Sequence, residues 1–126
     1  MKAERIELKD FLNTSSALYQ SVQKRIYEGA VFVYPTETIY GVGGIGIHNS
    51  IHNKVLAAKK RLPENPFILI ASDKKHFSSL KPEFNRYSQL LADVFWPGPL
   101  TQIIWFESWK KNVALRVTDY PFVKTV

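Results

Sequence analysis

The segment Phe67-Ile68-Leu69-Ile70-Ala71 sets five apolar residues in a row, with no polar alternation, just after Pro63 and Pro66. Such a run reads as a strand buried on both faces. A strand of that kind needs other layers above and below its sheet, and the flanking sequence offers them. Between Asn13 and Gly29, Leu18, Val22 and Ile26 recur every four residues, with Asn13, Thr14 or Ser15 available as N-cap and Gly29 as the stop. A strand from Ala30 to Tyr34 follows, then a helix from about Ser50 to Ala58 with Ile51, Val55 and Ala58 on one side. Beyond the apolar run, Ser72 can cap a short helix through Ser79, and Pro82 can open a longer one through Phe95. Leu90, Leu91, Val94 and Phe95 of that longer helix are expected to face inward. After the turn Trp96-Pro97-Gly98-Pro99, Leu100 to Phe106 and Val113 to Val117 read as two more strands. Asp119 then looks like the N-cap of a helix opened by Pro121, about one turn before Val126. Helices alternating with strands imply one α/β domain with a mixed sheet.

The composition narrows the chemistry. There is no cysteine, which removes disulfides, thiolate nucleophiles and cysteine-ligated zinc. The apolar fraction of 45% excludes a disordered chain, and no apolar run reaches the roughly 18 residues of a membrane span. The N-terminal residues mix charges and lack the apolar core of a secretory signal, so a cytoplasmic protein without membrane contact is expected. A net charge of +6 favours anionic partners such as nucleotides or RNA.

Several stretches could carry chemistry. Tyr34-Pro-Thr-Glu-Thr-Ile-Tyr-Gly-Val-Gly-Gly44 ends the first strand with a proline, two hydroxyls, a carboxylate and glycines, where small-molecule sites tend to sit. Gly41 to Gly46 spells G-x-G-x-x-G. A dinucleotide fingerprint, however, needs its first glycine directly after a strand and an acidic residue about 20 positions on. Here Pro35 to Tyr40 intervene, and Glu64 lies between prolines, so glycines that merely permit tight turns remain the alternative. Lys59-x-Arg61, with Asn65 beyond it, is stiffened by Pro63 and Pro66 and could hold a polyphosphate; a solvated helix end is the other possibility. Arg116 stands in the apolar stretch Val113 to Val117 and, if buried, needs an anion; if it faces outward, it needs none. The Trp96 turn delivers Thr101 to a strand head. His48, His52 and His76 have no metal-ligand spacing, and no metal site is expected.

In this order, "YPTETIYGVG", "KKRLPENPF", "WPGPLT" and "ALRV" resemble the threonylcarbamoyl-adenylate synthase family, the YrdC-like domains that begin the threonylcarbamoyl modification of adenosine in transfer RNA. The resemblance covers about Ala30 to Pro121. It implies a twisted mixed sheet flanked by helices around a positive concave face. It also implies a nucleotidyltransferase: threonine and bicarbonate or CO₂ form a carbamate that attacks the α-phosphate of ATP, giving threonylcarbamoyl-AMP and pyrophosphate. Such chemistry relies on fixed cations and hydrogen bonds that bring anions together, with no protein nucleophile.

Carried over by resemblance, Thr38 contacts threonine, Thr36 shapes the same pocket and Arg116 pairs with the threonine carboxylate. Lys59, Arg61 and Asn65 bind the ATP phosphates, with Lys59 and Arg61 as catalytic cations and Thr101 and Asn112 as secondary contributors. Magnesium accompanies ATP. Transfer RNA or double-stranded RNA and other proteins of the modification pathway are the implied partners. The chain departs from the family at Leu62 (commonly proline), Ile70 (often histidine) and Asn112 (usually threonine or serine). The family's Ser-x-Ser-Ala-Asn segment is expected beyond Val126, which makes residues 1–126 a single domain lacking roughly its C-terminal third. A non-catalytic RNA-binding module and an inactive remnant are the alternatives to a working enzyme.

Overall fold

The computed structural model of the chain describes residues 3–46, 49–60, 62 and 67–126. Arg61 and Asn65 of the expected phosphate-binding segment lie outside the described residues, as do His48 and Glu64. Helices α1 (Leu8–Phe11), α2 (Ala17–Tyr27), α3 (Asn49–Lys59), α4 (Arg86–Phe95) and α5 (Pro121–Thr125) alternate with strands β1 (Phe32–Tyr34), β2 (Gly41–Gly43), β3 (Ile68–Ala71), β4 (Pro82–Glu83), β5 (Gln102–Phe106) and β6 (Lys111–Val117). A 3-10 helix, Lys74–Leu80, follows β3, capped by the Asp73 carboxylate and not by Ser72. The expected α/β class with a mixed sheet is present.

β1 and β2 form an antiparallel pair, and the larger sheet runs β3-β6-β5-β4, with β3 parallel to β6 and the other pairs antiparallel. Alternation along β5 shows which face is the core. Gln102, Ile104 and Phe106 are buried while Ile103 and Trp105 are exposed. On the buried face Ala71, Ile104, Phe106, Val113, Leu115 and Val117 pack with Phe77 of the 3-10 helix, and Leu80, Phe84, Trp96 and Trp109 close the edges. A second, aromatic cluster joins the chain ends. The Phe122 ring of α5 lies 5.2 Å from Phe11, 5.7 Å from Phe32 and 5.4 Å from Tyr34, stacked on the last.

The stop of α2 has a local cause. Gly29 takes φ +91, a left-handed value that glycine adopts without strain, and the Lys54 ammonium donates to its carbonyl at 2.8 Å. Among the described residues no helix is long and apolar enough to cross a membrane.

Further expectations are corrected, the first being the cap of α2, which is Ser16, accepting from the Tyr19 amide, and not Asn13, Thr14 or Ser15. Leu90, Leu91, Val94 and Phe95 do not face inward; all are exposed, and of α4 only Ala92 is buried. Periodicity identifies an apolar stripe without saying what covers it. Pro82 does not open the helix: it pairs with Phe106 as part of β4, and α4 begins at Arg86 behind an Asn85 cap that accepts from the Tyr87 and Ser88 amides. The run Phe67 to Ala71 is not buried throughout, because β3 is an edge strand and Ile68 is exposed. Gly41 to Gly43 is a strand paired with β1 and not part of a loop. Asp119 does not cap α5; Tyr120 holds that position without a side-chain cap, and its amide donates to the Thr118 hydroxyl.

Candidate functional site

Strand β6 carries Arg116 on the face opposite the core, where register places Ile70 of β3 beside it. The loop 35–40 between β1 and β2 folds over this point. The residue is buried, 7% exposed, so its charge must be met from within the protein. Four contacts meet it. Nε donates to the Gly98 carbonyl at 3.4 Å, Nη1 and Nη2 each donate to the Thr38 hydroxyl at 3.3 Å, and Nη2 lies 2.7 Å from Glu37 Oε1.

Each partner is held by its own local structure. Thr36 donates its hydroxyl proton to the Ile39 carbonyl at 2.7 Å and accepts from the Thr38 amide at 3.2 Å, which bends the loop back on itself. The two hydroxyls are 3.2 Å apart. With the Thr36 proton committed to Ile39, the Thr38 proton points at Thr36 and its lone pairs point at Arg116. Gly98 belongs to the Trp96 turn, where the indole donates to the Leu100 carbonyl at 2.7 Å and the Gly98 amide donates to Val117 at 2.8 Å. A Cβ at position 98 would lie 2.5 Å from the Phe95 carbonyl, so only glycine fits this close approach.

The electrostatics follow. Burial acts to raise the Glu37 carboxyl, but the hydrogen bond from Arg116, together with backbone, Thr118 and charge contributions, outweighs it and holds the group below its ordinary value. Burial pushes the Tyr34 phenol up against the pull of Arg116, keeping it neutral. Tyr34 and Ile70 also border a cavity of about 590 Å³ beside β3, walled by Phe32, Phe77, Trp109 and Phe122.

The structure thus brings Thr36, Thr38 and Arg116 together. Thr101 directly precedes Gln102, whose register partner is Leu115, and so stands beside the same end of β6. Asn112 pairs with Trp105 and lies four residues from Arg116, roughly 13 Å along the strand, outside direct reach. Lys59 ends α3 and is partly buried, with its backbone neighbour Lys60 at φ 52. Glu37, the Gly98 carbonyl and Thr118 are not among the site groups that the sequence predicts. For Glu37 a signal existed: an arginine in an apolar strand calls for an anion, and the only carboxylate in the Tyr34 to Gly44 stretch is Glu37.

Among the described residues there is no group of three or more His, Asp or Glu side chains able to hold a metal. Glu37 is already engaged by Arg116. These groups do not fit a resident divalent cation, which prefers several oxygen ligands.

These features define an α/β domain with a buried cation beneath a hydroxyl-bearing loop. Residues 24–126 match the profile of the Sua5/YciO/YrdC family, described as "Telomere recombination", and the chain belongs to that family. A threonylcarbamoyl-AMP synthase of Pseudomonas savastanoi pv. phaseolicola is 36% identical over 121 residues, covering 87% of this chain and 64% of the relative. The synthase of Stutzerimonas stutzeri is 35% identical over 114 residues, covering 83% and 61%. Solved structures of Pyrococcus abyssi Sua5 superpose over 97% of this chain. A double variant does so with TM-score 0.76 at 27% identity, covering 38% of that protein, and the complex with L-threonine does so with TM-score 0.73 at 26% identity, covering 36%. The chain therefore spans less than two thirds of the length of these curated relatives.

Proposed function

We propose that the chain carries the threonine-binding part of a threonylcarbamoyl-AMP synthase site and takes L-threonine, bicarbonate and ATP as substrates. The observation that supports this most is Arg116, a buried arginine 3.3 Å from the Thr38 hydroxyl, in a chain whose relatives are named as this synthase. A relative of the same fold has been crystallised with L-threonine. Arginine grips a carboxylate with paired N–H donors, and Thr38 offers a hydroxyl at the same place.

The chemistry asks for positioning above all. The threonine amine and bicarbonate give a carbamate and water. A carbamate oxygen then attacks the α-phosphorus of ATP, the bond to the bridging oxygen breaks, and pyrophosphate leaves. Arg116 and Thr38 orient the amino acid, while Lys59, Arg61 and Asn65 hold the phosphates, with Thr101 and Asn112 as secondary contacts. Magnesium would arrive on the triphosphate as part of that substrate, because the described donor set does not hold it alone.

The test is pyrophosphate release from ATP by the purified chain. Release is expected only when threonine and bicarbonate are both present, and equal release without threonine would contradict the assignment. Lys59→Ala should slow it by about 2–4 kcal/mol of barrier, the usual worth of one fixed electrostatic donor.

A contact with transfer RNA or double-stranded RNA is a second reading, favoured by the net charge of +6 and by Lys81, Lys110 and Lys111 around the turn joining β5 to β6. Phosphate contacts of that kind predict affinity falling steeply with salt. Binding unchanged by salt in a filter assay would remove it. The cytoplasm is the compartment in which such substrates and partners are met.

A further inference from the structure

The ion pair between Arg116 and Glu37 raises a question that substrate binding must answer. Arginine has five N–H donors. Nε serves Gly98, Nη1 spends one N–H on Thr38, and Nη2 serves both Thr38 and Glu37. One N–H of Nη1 is left, too few for the paired grip that a carboxylate takes from arginine.

The groups around Arg116 differ in how easily they can leave. The Gly98 carbonyl is fixed by the close-packed turn and by its own amide bond to Val117. Thr38 is tied to Thr36 by amide and hydroxyl contacts. Glu37 sits between the two threonines on the bend. Its side chain is 26% exposed, against 8% for that of Arg116. A carboxylate at that exposure can swing into water with modest desolvation to recover, whereas the arginine cannot.

We propose that Glu37 is a built-in stand-in for the substrate carboxylate: it neutralises Arg116 and yields that guanidinium when an amino acid binds. The proposal rests on the threonine reading above and adds a residue that sets affinity. It accounts for the pairing of a buried arginine with a carboxylate that is itself partly exposed. It also means that every binding event exchanges one carboxylate for another, so affinity is held below what Arg116 could give alone. A ligand lacking a carboxylate has nothing to offer in exchange and leaves the pair closed.

Two measurements test this. The first is the affinity of L-threonine for the wild-type chain and for Glu37→Gln, which keeps the shape and removes the competing charge. The variant is expected to bind at least roughly tenfold tighter, the scale of one hydrogen bond to a charged group. Equal or weaker binding to a variant with a cooperative melt overturns the proposal while leaving the threonine site standing. Failure of both proteins to bind threonine overturns the site and the proposal together. The second needs no variant and serves if Glu37→Gln does not fold. A crystal structure of the wild-type chain with threonine bound is expected to show the Glu37 carboxylate turned away from Arg116. The pair still closed beside bound threonine would overturn the exchange.

Discussion

Replacing Arg116 with alanine is expected to lower the unfolding free energy by about 3 kcal/mol, the lower end of the cost of breaking a buried ion pair. The lower end applies because the Glu37 side chain, 26% exposed, can turn to solvent once its partner is removed. The loss is wider than one pair. The Gly98 carbonyl and the Thr38 hydroxyl lose their donor in the same stroke, so the loop 35–40 loses its tie to β6. Threonine binding should disappear in this variant. Arg116→Lys keeps the charge but presents its donors from a single point, and it cannot reach acceptors spread over three residues. It should therefore recover part of the stability and little of the binding. Denaturant unfolding and threonine titration of both variants measure these effects; an Arg116→Ala protein as stable and as competent as the wild type would contradict the account of the site.

The largest purely structural effect is expected at Phe106. Its side chain is 0% exposed, and its ring lies 5.7 Å from Trp109 and 6.4 Å from Phe77, at the point where β5 is flanked by β4 and β6. Phe106→Ala removes most of that ring from a core with little room to collapse, and it should cost about 3–5 kcal/mol. Domains of this size have total stabilities of about 5–15 kcal/mol, so the variant would be marginal. Ile103, three strand positions earlier and therefore on the opposite face, is 74% exposed, and its alanine variant should change stability by no more than about 0.5 kcal/mol. The contrast tests which face of the sheet is the core. Comparable shifts in denaturant midpoint for the two variants would contradict the assignment.

Much of this architecture is legible in the amino-acid order, for reasons visible residue by residue. The four-residue spacing of Leu18, Val22 and Ile26 and the left-handed Gly29 bracket α2 from local chemistry alone. The apolar stretches at β3, β5 and β6 likewise declare themselves. What failed depends on partners distant in sequence. Gly41 to Gly43 has little strand propensity and becomes a strand because β1 offers it a ladder, with the Tyr34 ring filling the space that side chains at Gly41 and Gly43 would need. Pro82 resembles a helix opener but lies against Phe106, a contact 24 positions away. The apolar stripe of α4 is real, yet its spacing could not reveal that it faces solvent.

The site divides in the same way. Thr38 and Arg116 are legible in the sequence because hydroxyls at a strand end and a lone charge in an apolar strand are both locally odd. Their meeting across 78 positions, and the capture of Arg116 by Glu37, follow from how the loop folds over β6.

The most direct test of the central claim, that Arg116 and Thr38 form one pocket for the carboxylate of threonine, is calorimetric titration of L-threonine into the wild-type chain with L-threoninol run alongside. The two ligands differ only in that the second carries an alcohol in place of the carboxylate. Saturable heat from threonine and none from threoninol is the predicted result; threoninol binding as tightly as threonine would contradict it.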